Sequence, residues 1–210
     1  GSMKVKLCGL SRMEDIRYVN EFQPDYVGFV FAKSRRQVTP AQAALLRSQL
    51  APSIRAVGVF VNETPEETAR IARQAALDGV QLHGDEDGDS IRRLRRLLPA
   101  GTAVWKAVRV RTPQDLQDAS RFGADLLLFD AFSKDAYGGT GKTADWGLLE
   151  RLRPPRPLFL AGGLNAGNLE EAVRRVRPDG VDLSGGIETG GVKDREKIKE
   201  ILTIIRGVSI

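Results

Sequence analysis

The stretch GADLLLFDAFSKDAYGGTGKTADW, residues 123–146, joins an apolar run to an acid, a glycine-bearing loop and the start of a helix. The run over residues 124–129 is apolar except for Asp125 and ends on Asp130, which is typical of a parallel strand buried on both faces. An acid at the end of such a strand lies where α/β folds place their chemistry, outside the carboxyl ends of the strands. The glycines of residues 138–141 allow the following loop to close over whatever Asp130 contacts.

The same alternation of strand and helix runs along the whole chain. Strands are predicted over residues 5–8, 25–31, 54–61, 79–83, 103–108, 124–130, 158–161 and 180–184. Capping residues predict helix starts at Ser11, Thr39, Thr64 and Thr112, and further helices are predicted over residues 88–98, 144–152, 165–176 and 194–206. Eight such units predict an α/β protein, a single (β/α)8 TIM barrel over residues 3–210. A doubly wound open sheet is the alternative, but its Gly-x-Gly-x-x-Gly turn is replaced by CGLS after the first strand.

Composition limits the class of protein. With 41% hydrophobic and 28% charged residues among 210, the chain is typical of a globular protein rather than a disordered or membrane-spanning one. Gly1 and Ser2 ahead of Met3 indicate an expression-tag remnant, and no signal peptide follows. One cysteine, Cys8, excludes a disulfide framework and favours a cytoplasmic location.

The formal charge of +5 raises the question of a nucleic-acid partner. Most of the surplus is arginine in predicted helices, as at residues 92–96, and the acids elsewhere in these helices favour solvated faces. Aromatic residues make up 6% of the chain and do not accompany the basic clusters. We therefore expect a small-molecule partner without nucleic acid or membrane; a monomer and a homodimer both stay open.

Polar residues occupy one face of three predicted strands, opposite an aliphatic face. This polar set comprises Lys6, Cys8, Gln81, His83, Asp182 and Ser184. Because helices cover the apolar outside of a barrel, the set is predicted to face its lumen or mouth. The first and eighth strands meet on closure, so Lys6 and Asp182 are predicted to pair there. Lys106 would also face inward if the side chains of the fifth strand alternate in the register assumed for residues 103–108.

Glycine pairs follow the last two predicted strands. Gly162 and Gly163 come after the seventh strand, and Ser184, Gly185 and Gly186 close the eighth. Glycines let backbone N–H groups approach an anion, and barrels commonly hold a phosphate at these two loops. A phosphate site is therefore predicted there, although tight turns also use glycine for steric reasons alone.

A series of short motifs now identifies a resemblance. They are KLCGL at 6–10, GFVF at 28–31, KSRR at 33–36, GVFVN at 58–62, VQLHG at 80–84, Asp130 with GGTG at 138–141 and DW at 145–146, and AGGL at 161–164. On these motifs the chain resembles the phosphoribosylanthranilate isomerase family of tryptophan biosynthesis over nearly its whole length. The resemblance implies a cofactor-free, metal-free Amadori rearrangement of a phosphosugar, N-(5-phosphoribosyl)anthranilate.

The resemblance also implies roles for individual residues. Cys8 matches the family's general base, Asp130 its general acid, and Arg36 the residue that holds the anthranilate carboxylate. Cys8 can act as a base only as a thiolate, which a nearby cation such as Lys6 would favour. The substrate-binding set is predicted to be Arg36, Gly162, Gly163, Asp182, Ser184, Gly185 and Gly186.

Two departures from the family pattern and several alternatives accompany this interpretation. Gly185 stands where the family commonly has a second serine, and Gly190 replaces a proline, which predicts slightly weaker phosphate binding and a looser loop. A histidine-biosynthesis sugar isomerase would place an aspartate at Cys8, and an indoleglycerol-phosphate synthase would need a lysine and glutamate set not found here. A barrel that binds RNA or acts as a scaffold is the alternative outside enzymes. His83 is interpreted as a wall residue without an acid–base role, and a second phosphosugar substrate stays open.

Overall fold

A computed structural model describes residues 2–131, 146–155 and 157–208 of the chain. The barrel strands are β1 (Lys4–Cys8), β2 (Tyr26–Val30), β3 (Arg55–Phe60), β4 (Gly79–Leu82), β5 (Ala103–Arg109), β6 (Leu126–Asp130), β7 (Leu158–Ala161) and β8 (Gly180–Leu183). The helices are α1 (Met13–Phe22), α2 (Pro40–Ser48), α3 (Pro65–Gln74), α4 (Gly88–Leu97), α5 (Pro113–Ala119), α6 (Gly147–Leu152), α7 (Leu169–Val176) and α8 (Arg195–Gly207). Between β8 and α8 lie a 3-10 turn (Gly185–Ile187) and a hairpin of β9 (Glu188–Thr189) and β10 (Val192–Lys193).

The eight strands form one closed parallel barrel in sequence order, β1 pairing with both β2 and β8. Closure confirms the predicted (β/α)8 TIM barrel and rules out the open-sheet alternative. The predicted loop 138–141 and the DW motif's Asp145 lie outside the described residues. Within the described ranges, no helix combines the length and apolar character that crossing a membrane requires.

The start of α1 differs from its prediction. Ser11 was expected to cap the helix with its hydroxyl group, but the helix begins at Met13. The carboxylate of Asp15 instead accepts hydrogen bonds from the backbone N–H groups of Ser11 and Arg12, at 2.9 and 3.0 Å. A carboxylate accepts these bonds more strongly than a hydroxyl group, so the cap comes from inside the first turn.

Four aspartates form a repeated clamp at the amino ends of the strands. Each lies immediately before an even-numbered strand, and its carboxylate accepts a hydrogen bond of 2.7–2.9 Å from a backbone N–H near the start of the preceding odd-numbered strand. The four are Asp25, Asp78, Asp125 and Asp179. Because the barrel is built from eight units, these clamps tie it together in four pairs of strands.

The lumen of the barrel is closed at its amino end by aromatic rings. Tyr26, Trp105 and Phe159 come early in β2, β5 and β7 and pack edge to face, with ring centroids 5.0–5.8 Å apart. A separate and larger apolar layer lies between the strands and the helices. The open end of the barrel is therefore the end where the strands finish.

Lys106 does not face the lumen, so that conditional prediction was wrong. The register places Trp105 beside Gln81 and Lys106 beside Leu82, and Trp105 belongs to the aromatic cluster inside the barrel. The buried Lys106 ammonium donates to the Gly84 carbonyl at 2.7 Å and to a Glu86 carboxylate at 3.0 Å. The long apolar stem crosses the outer layer and brings the charge to the loop after β4.

Candidate active site

One cavity of about 1170 Å³ opens at the carboxyl ends of the strands. Its lining includes every residue of the predicted site: Cys8, Arg36, Asp130, Gly162, Gly163, Asp182, Ser184, Gly185 and Gly186. These residues come from β1, β6 and β8 and from the loops after β2, β7 and β8. Barrel closure brings them together, because all eight strands end at the same face.

Cys8 is the last residue of β1 and lies almost completely buried beside Lys6. The fully buried Lys6 ammonium donates to Gln81 Oε1 at 2.9 Å and to Asp182 Oδ1 at 3.2 Å, which confirms the predicted ion pair. On the next strand, a Cβ atom at Gly28 would lie 2.4 Å from Cys8 Sγ. Gly28 therefore leaves space for the thiol. In the sequence, Gly28 appeared only as part of the motif GFVF, which did not indicate this role.

The charge state of Cys8 depends on opposing effects. Burial raises the pKa of the thiol above its usual value, and it outweighs the lowering effect of the Lys6 ammonium; Asp182 raises the pKa further, whereas Lys193 lowers it. Burial also lowers the pKa of Lys6, but Asp182 and Cys8 more than compensate and raise it, so Lys6 stays charged. Lys6 thus acts in the expected direction, yet Cys8 rests as a thiol.

A chain of polar contacts crosses the lumen from Lys6 to Asp130. Gln81 accepts from Lys6 through Oε1, so its amide nitrogen donates to His83 Nδ1 at 3.1 Å. With Nδ1 accepting, the ring N–H lies on Nε2, which is 3.9 Å from Asp130 Oδ2. His83 therefore lines the cavity and presents an N–H group to the acid at the end of β6.

Arg36 lies in the loop after β2, and its guanidinium group is held by a residue that the sequence did not predict for the site. Its Nε and Nη2 atoms donate to the two carboxylate oxygens of Glu188, at 2.8 and 2.7 Å. Burial alone would raise the pKa of Glu188, but hydrogen bonds from Arg36 and Lys193 outweigh it and lower the pKa to about 2. Glu188 is the last residue of the segment GGIE at 185–188. Its position two residues after the glycine pair was the only feature of the sequence that could have placed it in the site.

The two glycine turns of the predicted phosphate site pack against each other. A Cβ atom at Gly186 would lie only 1.9 Å from the carbonyl oxygen of Leu164, in the turn after β7. Only glycine permits this approach of the two backbones. Beside them, the Ser184 hydroxyl group donates to the carbonyl oxygen of Cys8 at 3.1 Å, which joins the turn after β8 to the end of β1.

Comparison with known proteins shows the family of the chain. A family model described as N-(5'-phosphoribosyl)anthranilate (PRA) isomerase matches residues 5–203. The N-(5'-phosphoribosyl)anthranilate isomerase of Thermoanaerobacter sp. (strain X514) is 48% identical over 206 residues, which cover 98% of this chain and 99% of the relative.

Solved structures give the same result. The phosphoribosyl anthranilate isomerase from Thermotoga maritima has a TM-score of 0.88 at 38% identity, over 98% of this chain and all of that chain. A phosphoribosyl anthranilate isomerase in complex with reduced 1-(o-carboxyphenylamino)-1-deoxyribulose 5-phosphate has a TM-score of 0.85 at 36% identity, with the same coverage. Together with the family match, these similarities confirm the resemblance seen in the motifs, and the chain belongs to the N-(5'-phosphoribosyl)anthranilate isomerase family.

Proposed function

We propose that this chain catalyses the cofactor-free Amadori rearrangement of N-(5'-phosphoribosyl)anthranilate to 1-(2-carboxyphenylamino)-1-deoxyribulose 5-phosphate. The observation that carries the proposal is one cavity lined by the Cys8 thiol, the Asp130 carboxyl group, the Arg36 guanidinium group and both glycine turns. The ligand of one solved relative is a reduced form of the proposed product. An aldose–ketose isomerisation needs one acid and one base, and the cavity contains a candidate for each.

The chemistry balances with these two groups. Protonated Asp130 donates to the ribose ring oxygen while the bond from that oxygen to C1' breaks, which leaves a C1'–nitrogen iminium group. The Cys8 thiolate then removes the proton from C2', whose bonding electrons form a C1'–C2' double bond while the iminium electrons return to nitrogen. The resulting enolamine gives its hydroxyl proton to the Asp130 carboxylate and takes a proton at C1' from the Cys8 thiol, which yields the ketone and restores both groups with no change in overall oxidation state.

The two ends of the substrate are both anionic, and the cavity offers a separate site for each. The phosphate group is assigned to the turns at Gly162–Gly163 and Ser184–Gly186, where glycine allows close approach to backbone N–H groups. The anthranilate carboxylate is assigned to Arg36, whose planar fork suits a planar carboxylate. Held at both ends, the sugar would lie across the mouth between Cys8 and Asp130.

Lys6 and Asp182 lie in the lumen of the barrel, next to the proposed general base Cys8. Deprotonating a buried thiol is unfavourable, and the adjacent buried ammonium of Lys6 stabilises the thiolate when it forms. Asp182 keeps Lys6 charged and in place through the 3.2 Å ion pair. Lys6 thus favours the reactive form of Cys8, whereas the charge of Asp182 opposes the thiolate and its contribution is to hold Lys6 in place.

The experiment that tests the function follows the loss of phosphoribosylanthranilate fluorescence with wild type, Cys8→Ser and Asp130→Asn. Each variant should lower kcat by about 100-fold or more, because general acid–base catalysis supplies that range. Affinity for the reduced product analogue should change far less, since its two anionic ends are held elsewhere. Asp89→Asn, an exposed change of the same kind in α4, is the control and should keep wild-type kcat. A wild type without turnover, or full turnover in both site variants, would contradict the proposal.

A further inference from the structure

Glu188, in β9, is a buried carboxylate surrounded by three cations. Its Oε1 atom accepts from Arg36 Nη2 at 2.7 Å and from Arg35 Nη2 at 3.0 Å. Its Oε2 atom accepts from Arg36 Nε at 2.8 Å and from the buried Lys193 ammonium at 2.8 Å. Because three cations share one carboxylate, the cluster keeps a positive surplus that favours a further anion.

The contact uses only one edge of the Arg36 guanidinium group. Glu188 occupies the edge formed by Nε and Nη2, and a guanidinium group carries five N–H donors in one plane. Nη1 has no hydrogen-bond partner among the described residues, and Arg36 lines the cavity with its side chain about a quarter exposed. The edge formed by Nη1 and the second hydrogen of Nη2 is therefore available to another carboxylate.

The backbone around Arg36 leaves it little other freedom. Its Cδ atom lies where a Cβ atom at Gly9 would come within 2.4 Å, so the side chain passes directly over the residue after Cys8. On the far side of Glu188, Lys193 also donates to the carbonyl oxygen of Ser184 at 3.2 Å. Glu188 thus connects the loop after β2 to the turn after β8, the two places assigned to the two ends of the substrate.

We infer that Glu188 is a positioning residue, which orients the guanidinium plane of Arg36 so that its remaining edge receives the aryl carboxylate of the substrate. The inference rests on the proposed function, because it assumes an aryl carboxylate in this cavity. Glu188 does not compete for Arg36, since a carboxylate at the second edge uses different hydrogens of the same fork.

The test compares two ligands that differ only in the carboxylate. They are the reduced product analogue, 1-(o-carboxyphenylamino)-1-deoxyribulose 5-phosphate in its reduced form, and the same compound with a plain phenyl ring. Glu188→Gln keeps the size of the side chain but loses its charge and one acceptor. We expect its affinity for the carboxylated analogue to fall about 10- to 100-fold, which is the range for losing a hydrogen bond between charged groups. Its affinity for the phenyl analogue should change little. With substrate, KM should rise by a similar factor and kcat should change less.

Three further variants keep the test decisive. Glu86→Gln changes another buried carboxylate that neutralises a lysine at the same end of the barrel, and it should leave the affinity ratio of the two analogues at its wild-type value. The double variant Glu188→Gln with Lys193→Met removes both buried charges. It should lose the preference for the carboxylated analogue over the phenyl analogue even if the single variant folds poorly. In an Arg36→Met background, Glu188→Gln should have no further effect on the ratio.

The outcomes separate the two claims. If wild type turns over its substrate and prefers the carboxylated analogue, but Glu188→Gln keeps that preference, the positioning role is wrong and the proposed function stands. Equal weakening of both analogues would also overturn it, because it would show a structural role alone. If wild type neither turns over the substrate nor distinguishes the analogues, the proposed function itself fails.

Discussion

At the scale of single residues, the chemistry of the site depends on how a buried thiol becomes a base. Burial holds Cys8 in its thiol form, and Lys6 partly offsets that effect. The form proposed to react carries an ionised Cys8 and a protonated Asp130. Its population therefore depends on how strongly Lys6 stabilises the thiolate.

The first prediction concerns Lys6 and the pH profile of kcat/KM. At a pH above the pKa of Cys8, a further rise in pH lowers the fraction of protonated Asp130 without adding thiolate, so kcat/KM falls. Because burial raises the pKa of Cys8 above its usual value, this fall should begin only beyond about pH 9. Lys6→Met should raise the pKa further, move this fall to higher pH and lower kcat/KM about tenfold or more. Stopped assays from pH 6 to 10 would measure both. A Lys6→Met enzyme with an unchanged profile would show that Lys6 does not act on Cys8.

The second prediction concerns the departure at Gly185. A Cβ atom there would meet only Arg36 Nη2 at 3.8 Å, an ordinary contact. Gly185→Ser should therefore fold with wild-type Tm and, by adding a hydroxyl group to the proposed phosphate turn, lower KM about 2- to 5-fold. Gly186→Ser is the matched control and should lower Tm markedly, because its Cβ atom would lie 1.9 Å from the Leu164 carbonyl oxygen. A rise in KM for Gly185→Ser would contradict the phosphate assignment.

At the scale of secondary-structure elements, the barrel separates stability from chemistry. The aspartate clamps lie where the strands begin, and the proposed catalytic and binding groups lie where they end. A parallel strand pairs through evenly spaced hydrogen bonds that leave its first N–H groups without a partner. Each clamp satisfies one such N–H group with a carboxylate oxygen.

The third prediction follows from one clamp. Asp25→Ala removes the carboxylate that accepts a 2.9 Å hydrogen bond from the Val5 N–H group. The loss should lower the free energy of unfolding by about 1–2 kcal/mol. Asp25→Asn keeps an acceptor oxygen and should lose less. Urea unfolding followed by circular dichroism would measure both, and kcat should stay at its wild-type value because the mouth lies at the other end. Equal losses in the two variants would mean that this hydrogen bond does not stabilise the barrel.

At the scale of the whole molecule, closure decides which charges meet. Glu188 lies close to Arg36 and Lys193 because β9 and β10 fold back over the end of β8, beside the loop after β2. Its pKa of about 2 in the folded protein is below its ordinary value of 4.5. Folding therefore favours the ionised carboxylate, and the stability of the protein depends on pH through this group.

The fourth prediction gives the sign and size of that dependence. A depressed pKa contributes stability that is fully present above about pH 4.5 and lost as the pH falls towards 2. The total is on the order of 3 kcal/mol, lost at about 1.4 kcal/mol per pH unit. Unfolding free energies of wild type and Glu188→Gln at pH 6, 5, 4 and 3 should converge as the pH falls. A constant difference over that range would show that Glu188 is not held ionised by its neighbours.

The sequence by itself determined the class of fold and the set of proposed catalytic and substrate-binding residues that share the cavity. Repeated strand and helix signals, with polar residues at alternate positions of three strands, were enough for a barrel, and its closure explains why Cys8, Asp130 and Arg36 share one cavity. These features follow from the local period of the chain and from the glycines at its turns, which act over a few residues. The motifs that connect them to a known family are likewise short and local.

Only the tertiary structure decided the partners of those residues. The contact of Glu188 with Arg36 joins residues 152 positions apart, and the side of β5 on which Lys106 lies depends on the register with β4. The net pKa shift of Cys8 depends on its depth of burial and on charges from β1, β8 and β10 together. Each of these is set by distances across the closed barrel, because electrostatic and packing energies depend on separation in space, which no pattern along the chain records.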